Sequence, residues 1–345
     1  MQLPPKGVDT PMENTFIPSL LLPALQARAS LLETLHAEGT TCYRLFHGTN
    51  EGAPGLTLDR YGDYLLVQTW RNPIALDLLP ELEATVKAEL NLDLQAVWNH
   101  RATRGSVDHT LHPLEIPFEV TGEEQALSYS VTPRHQGVDP LLFLDFRAGR
   151  RKIKEIAEGK SVLNLFSYTG GIGLAAAAGG AEEVVNVDFS KHALEVSETN
   201  AFKNGLSTAF THLREDAIPI MLQYSGLGVR GRRAKRSFIK VAPRQFDIVV
   251  LDPPRYAKGS FGLVDTVGDY QSLFKPALLC TRSGGHMLVT NNVSSVSRDE
   301  FKAILERCAE KAERSFKSFE YLDLEGDFPS PDSNWPLKMA LIELA

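Results

Sequence analysis

The chain has 345 residues, which suits two domains on a prior of about 150 residues each, and its 43% hydrophobic share fits a globular protein whose core needs no staples. Three scattered cysteines, Cys42, Cys280 and Cys308, exclude a disulfide framework and a CxxC metal site, so no metal is expected. The net charge of −7 argues against a nucleic-acid partner as a sum but not as a distribution, because Gly226–Arg244 (GLGVRGRRAKRSFIKVAPR) carries seven Lys or Arg and no acid.

The N-terminal MQLPPKGVDTPMENTF has no basic region followed by an apolar run, and no stretch approaches the roughly 18 apolar residues of a membrane span. A reducing, cytoplasmic setting with no membrane contact is therefore expected. Residues 1–42 form an extension carrying one helix, from Pro23 to His36, which ends before Gly39. Residues 43–135 form a small α+β domain. Tyr43-Arg-Leu-Phe reads as a strand. Gly55 to Trp70 reads as two alternating strands joined by a turn at Tyr61-Gly-Asp-Tyr64. A helix over 74–91 and strands over 94–98 and 115–120 follow.

From Gly159 the rhythm becomes alternating strand and helix: strands over 162–166, 184–188, 246–252 and 286–290, and helices from 171, over 190–204, 269–282 and 297–314. This predicts an α/β domain over 136–345 with a mostly parallel sheet and helices on both faces. Ligands in such sheets bind at the carboxyl ends of the strands.

Strand 162–166 runs into Ser167-Tyr-Thr-Gly-Gly-Ile-Gly, a glycine-rich turn that lets backbone approach a ligand before a helix N-terminus. By itself it also fits a plain turn, since it is not a GxGxxG. Asp188 ends the next strand, where an acid can accept two ribose hydroxyls; Ser190 is the better N-cap for the helix that follows. Asp216 can accept from an adenine amino group or be a solvated surface acid. Asp252-Pro253-Pro254-Arg255-Tyr256 is the most specific signal. Both prolines fix φ, so the turn holds a carboxylate rigidly, and Tyr256 can stack on a planar base for about 1–3 kcal/mol.

In this order and spacing NLFSYTGGIG, VVNVDFS and FDIVVLDPPRY resemble the class I Rossmann-like methyltransferases, whose sheet has seven strands. More narrowly they resemble the bacterial 23S rRNA base methyltransferases, a family with carbon-5 cytosine and guanine nitrogen-7 members. Leu142-Phe-Leu-Asp145-Phe-Arg147 matches that family's FxLDxR segment, and EGAPGLTLDRYGDYLLVQ (51–68) resembles the small α+β domain of its carbon-5 members. The family's N-terminal RNA-binding PUA module is expected to be absent. The resemblance implies S-adenosyl-L-methionine as cofactor. It places Phe166, Ser167, Tyr168, Thr169, Gly170, Gly171, Asp188, Phe189, Ser190, Asp216, Ala217, Asp252 and Arg147 around that cofactor. It places Asp252, Pro253, Tyr256 and Asn291 at the base. It implies an RNA partner, 23S rRNA or a large-subunit precursor, and admits a homodimer.

Carbon-5 methylation needs a thiolate that attacks carbon-6. Where carbon-5 members carry that cysteine this chain reads Thr290-Asn291-Asn292, like the nitrogen-7 branch. Guanine nitrogen-7 has an in-plane lone pair, so holding the base in line suffices, and the two amides can hold it. The expectation is methylation of a guanine ring nitrogen in 23S rRNA. The alternatives are a cytosine carbon-5 enzyme, a catalytically silent cofactor- and RNA-binding module, and a small-molecule methyltransferase; Arg255 after the prolines weakens an exocyclic-amine methylase. The basic run either grips RNA phosphates or is a solvated loop.

Overall fold

A computed structural model describes residues 17–101, 117–133 and 139–345. The chain forms two compact units. Unit 1 comprises the chain to Leu144 together with Glu325–Pro331; unit 2 comprises Asp145–Leu324 and Asp332–Ala345.

Unit 1 contains α1 (Ile17–Ala27), α2 (Ala29–Ala37), β1 (Cys42–His47), β2 (Leu56–Tyr61), β3 (Tyr64–Thr69), α3 (Leu78–Leu90), β4 (Gln95–His100), β5 (Val120–Glu124) and β6 (Leu127–Val131). Strands β1 to β4 form one sheet in chain order, antiparallel except for the β3–β4 pair that α3 connects. The turn expected at Tyr61–Tyr64 is present: these two residues pair, and Gly62 adopts φ +62. The strand expected over 115–120 begins at Val120, and residues 115 and 116 lie outside the described residues.

Three boundaries differ from expectation. The helix expected from Pro23 is two helices that meet at Arg28. It is not part of a separate extension, because Ile17, Leu21, Leu25, Leu32 and Leu35 are buried in one core with β1 to β4. An apolar stripe of this spacing must be covered, and the sheet covers it. Unit 1 also continues past 135, and the Tyr61 hydroxyl donates to the Leu142 carbonyl (2.9 Å). Finally, residues 325–331 belong to unit 1. The buried Arg28 guanidinium donates to Glu51 (2.6 and 3.0 Å) and to the Asp327 carbonyl (3.2 Å), while the Asp327 carboxylate accepts from the Arg44 amide (3.0 Å).

Unit 2 contains α4 (Arg147–Ile156), β7 (Ser161–Leu165), α5 (Gly171–Ala178), β8 (Glu183–Asp188), α6 (Lys191–Lys203), β9 (Phe210–Arg214), α7 (Ala217–Tyr224), β10 (Phe246–Leu251), β11 (Tyr256–Lys258), β12 (Leu263–Asp265), α8 (Gln271–Leu279), β13 (Thr281–Asn291), α9 (Arg298–Lys311), β14 (Phe316–Leu322) and β15 (Lys338–Leu344). Its seven-stranded sheet has the order β14-β15-β13-β10-β7-β8-β9. The five strands from β13 to β9 run parallel, and β15 lies antiparallel between β13 and β14. This is the expected Rossmann-like α/β architecture. Helices cover both faces, so the central strands are near-continuous apolar runs such as Ile248–Leu251. Leu165 pairs with Val187 on one side and Leu251 on the other, and Leu251 pairs with Val289. Asp188, Phe166, Asp252 and Thr290 therefore stand in one row at the carboxyl edge, on neighbouring strands about 4.8 Å apart.

Candidate active site

The loop after β7 is left-handed at three alternate residues: Phe166 (φ +59), Tyr168 (φ +49) and Gly170 (φ +72). Each non-glycine residue in that region costs about 1–3 kcal/mol, so the surroundings must hold the loop. They do so from β8. The Ser167 amide donates to the Val187 carbonyl (3.0 Å) and the Tyr168 amide to Asp188 Oδ2 (2.9 Å). At Gly170 a Cβ would meet Ser197 Oγ at 2.0 Å, so glycine is required by close approach as well as by conformation. Behind it runs a buried polar seam. Asn164 donates to Asn186 (2.9 Å), Asn186 donates to Ser197 Oγ (3.0 Å), and Ser197 Oγ bonds His212 Nε2 (2.9 Å).

Asp188 Oδ1 accepts from the Ser190 amide (2.8 Å), and Ser190 caps α6 by accepting from the Ala193 amide (3.2 Å), as expected. Burial raises the Asp188 pKa, opposed by the amides of Ser190, Tyr168 and Phe189. Each carboxylate oxygen keeps a lone pair for a ligand hydroxyl. Phe189 is 67% exposed beside it, a flat apolar ring at the sheet edge. The Ser167 hydroxyl is buried without a partner. A buried hydroxyl without a partner calls for one from outside the chain. An orphaned hydroxyl, a fixed carboxylate and an open aromatic ring together fit a nucleoside-bearing cofactor.

Asp216 is half-buried rather than a solvated surface acid, and like Asp188 its carboxylate keeps lone pairs for a ligand. Its Oδ1 caps α7 by accepting from the Ile218 amide (2.9 Å), with Ala217 buried as the first helical residue. Burial raises its pKa as well. Arg147, expected at the cofactor, is buried, with 1% of its surface exposed.

Asp252 ends β10. Its Oδ1 accepts a hydrogen bond from the Thr290 hydroxyl across the strand pair. Desolvation pushes its carboxyl up to about 6, the Thr290 bond lowers it, and Asp145, which opens unit 2 in the Leu142–Arg147 segment, raises it further. Thr290 is itself braced, since the buried Tyr270 hydroxyl donates to its carbonyl (2.8 Å) and the Tyr270 ring packs edge-on against Phe301. After the buried Pro253, Tyr256 is 62% exposed and starts the β11–β12 hairpin.

Asn291 does not present its amide to a base. It is 1% exposed. Its Oδ1 accepts from the Val293 amide (2.9 Å), and its Nδ2 donates to the Thr266 carbonyl (2.9 Å). Thr266 in turn donates through its amide (3.2 Å) and hydroxyl (3.1 Å) to the Arg255 carbonyl. Asn291 thus positions the Arg255–Tyr256 turn, while Asn292 next to it is exposed. Thr290, Tyr270 and the Asn164–Asn186–Ser197 seam were given no role in the sequence, and Asp145 stood out there only as part of the Leu142–Arg147 segment. Only the two asparagines inside apolar strands carried a signal.

None of the three cysteines is presented here. Cys280 lies at the opposite edge of the sheet, where its carbonyl accepts from the Phe246 amide (2.8 Å) at the start of β10, and burial pushes its thiol up. Cys308 is buried in α9 with its thiol also raised, and Cys42 is buried in unit 1.

The basic run forms a strap along α7. The Gln223 side chain bonds Ile239 (2.9 Å) and Val241 (3.3 Å), and the Ile239 amide donates to Glu215 (2.9 Å). Phe238 packs edge-on against Phe261 at the tip of the β11–β12 hairpin, and Lys240 lies over Phe238. A Cβ on Gly262 would meet the Arg233 guanidinium at 2.8 Å. The apex of the strap therefore stands at the carboxyl edge of the sheet, beside Asp216 and the hairpin.

The family profile described as S-adenosylmethionine-dependent methyltransferase matches residues 43–343. The chain is 31% identical over 297 residues to ribosomal RNA large subunit methyltransferase I of Aeromonas hydrophila, covering 85% of this chain and 71% of that one. It is 28% identical over 342 residues to a Bacillus subtilis protein provisionally named ribosomal RNA large subunit methyltransferase YwbD, covering 96% and 81%. Among solved structures it is similar to SMU.776, provisionally described as a methyltransferase and complexed with SAH. That match has a TM-score of 0.77 and 26% identity and covers 97% of this chain and 83% of that one.

Proposed function

The chain belongs to the S-adenosylmethionine-dependent methyltransferase family, and on that premise we propose that it methylates a guanine ring nitrogen in the RNA of the large ribosomal subunit, acting in the cytoplasm. Two observations support RNA as substrate: the names of the relatives, and Tyr256, an exposed ring that follows a rigid Asp-Pro-Pro turn. When bound, S-adenosylmethionine supplies a methyl group activated by a sulfonium. Asp188 and the loop from Phe166 to Gly171 hold the cofactor's nucleoside end. Asp252, ionised at pH 7 and fixed by Thr290, accepts N–H groups from the edge of the base. Tyr256 stacks on its face, and Asn292 is the amide still open to it.

The observation that carries the choice of a ring nitrogen is the position of the cysteines. A pyrimidine carbon needs an attacking thiolate. Cys280 is buried at the far edge of the sheet and its thiol is held protonated. A ring nitrogen supplies its own electron pair, and the remaining task is alignment.

The test is nucleoside mass spectrometry of ribosomal RNA from cells with and without the gene. Loss of one methylguanosine is the expected result. Loss of 5-methylcytidine instead would overturn the choice of atom while keeping the RNA reading. No change in any nucleoside would overturn both.

A further inference from the structure

We propose that the strap's apex and the β11–β12 hairpin form one phosphate-binding rim, which grips the RNA backbone beside the target nucleotide without reading sequence. The proposal rests on the RNA reading above and adds the surface that holds the substrate.

The strap's charges divide into two sets. Arg244 forms a bidentate pair with Glu183 (2.6 and 3.1 Å), Lys240 covers Phe238, and Arg233 lies against Gly262 beside Asp216. These three serve the fold, and they fix where the strap runs. Arg230, Arg232, Lys235 and Arg236 are exposed, and none of the ion pairs of the described residues involves them. Arg255 and Lys258 on the adjoining turn and hairpin are exposed as well. Uncompensated guanidinium and ammonium groups repel one another, so gathering them at one edge costs stability unless an anion joins them.

Their location decides what that anion is. The strap leaves the end of α7 and returns to the start of β10, both at the amino edge of the sheet. A loop whose only task was to join them could stay there. Instead Phe238 on Phe261 and Arg233 at Gly262 carry its apex to the edge that holds Asp252 and Tyr256. A base drawn to Tyr256 brings its neighbouring phosphates past this rim. Arginine is the residue that forks onto phosphate oxygens, and three of the four free strap charges are arginines. Such contacts fix register and orientation and carry no sequence information.

The test replaces Arg230, Arg232, Lys235 and Arg236 together by alanine. Ribosomal RNA from cells lacking the gene is offered both as naked RNA and as large subunits. Methyl transfer and RNA affinity are measured from about 50 to 200 mM salt, the range over which phosphate contacts are most visible. The expected result is a slope of log affinity against log salt reduced by roughly 3, at about 0.7–0.9 per charge removed. KM for RNA rises about tenfold or more, while kcat at saturating RNA and affinity for S-adenosylhomocysteine are kept. An unrelated RNA should lose affinity by the same factor, because the rim is blind to sequence. If the unaltered protein methylates the RNA and the slope is unchanged in the variant, the rim proposal falls and the function stands. If the unaltered protein methylates neither form, both fall. If the variant loses S-adenosylhomocysteine binding, the strap is a structural brace, and the proposal is overturned.

Discussion

The two carboxylates at the sheet edge are held in contrasting ways. Asp188 is wrapped by backbone amides of the loops after β7 and β8, which are themselves locked by left-handed residues and a glycine that tolerates no Cβ. Asp252 stands one strand beyond β7, held by the hydroxyl of Thr290, and is pushed up to about 6. Desolvation raises both, but amides of the main chain do not titrate or rotate away, whereas a side-chain hydroxyl can be removed by one substitution. The first arrangement makes a fixed acceptor for a ligand that must always be seated the same way. The second makes an acceptor whose charge responds to pH.

The strongest way to break this comparison is a crossed pair of variants. Asp252→Ala should lower turnover about a hundredfold or more and leave S-adenosylhomocysteine affinity within about threefold. Asp188→Ala should do the reverse, weakening that affinity roughly a hundredfold by calorimetry while turnover at saturating cofactor falls little. If both variants lose binding equally, the two carboxylates serve one ligand and the division is wrong. Next in size is Gly170→Ala, which combines a left-handed alanine with a clash on Ser197. A loss of roughly 2–4 kcal/mol in urea unfolding, together with weakened cofactor binding, is expected.

Smaller effects sharpen the picture through pH. The folded pKa of Asp252 is raised above its unfolded value, so its ionised form is costly at neutral pH. That cost is relieved as pH falls through about 6 towards the ordinary carboxylate range. Turnover should fall over the same window, because the acceptor is lost. The contribution of this residue to stability and its contribution to activity therefore have opposite signs between pH 7 and 5. Thr290→Val removes the bond that favours the charged form, and the acidic limb of the rate profile should move up by roughly half to one unit. A limb that stays in place would show that Thr290 does not tune Asp252. The smallest effect should come from Cys280→Ala combined with Cys308→Ala. Turnover is expected within about twofold of the parent, with a stability loss of about 1 kcal/mol per site. Abolished turnover in a folded variant would restore the carbon-5 reaction.

Much of this site was legible as sequence because it sits where strands end. Asp188 and Asp252 each close an apolar run that could only be a buried strand, and Ser190 capped the helix it was expected to cap. Failures came where function depends on partners distant in sequence. Asn291 looked like an open amide, but Thr266 and Val293 consume it, and no spacing rule announces a hairpin folding back on its own turn. Arg147 was placed at the cofactor only by the likeness of its segment to a family motif, and it is buried. Thr290 is an ordinary strand residue in sequence, and only the register of β10 on β13 brings it level with Asp252. The strap's charges were visible, but their destination at the carboxyl edge depends on the pairing of Phe238 with Phe261. The unit boundary was misplaced for the same reason, since nothing in residues 325–331 foretells that Asp327 will meet Arg28 and Arg44.

That last feature has a bearing on how the chain is made. Synthesis runs from the N-terminus, and domains ordinarily fold as they emerge from the ribosome. Unit 1 cannot follow that schedule to completion. Its strands and helices are translated first, but the Arg28 guanidinium waits for a carbonyl, and the Arg44 amide for a carboxylate, that lie beyond nearly all of unit 2. The nascent N-terminal unit is an unclosed body for most of its translation, and its last polar partners arrive together with the strands that finish the other sheet. A gene fragment ending at residue 144 would encode a unit with a buried arginine short of one acceptor, whereas a fusion that returns residues 325–331 through a short linker would supply it.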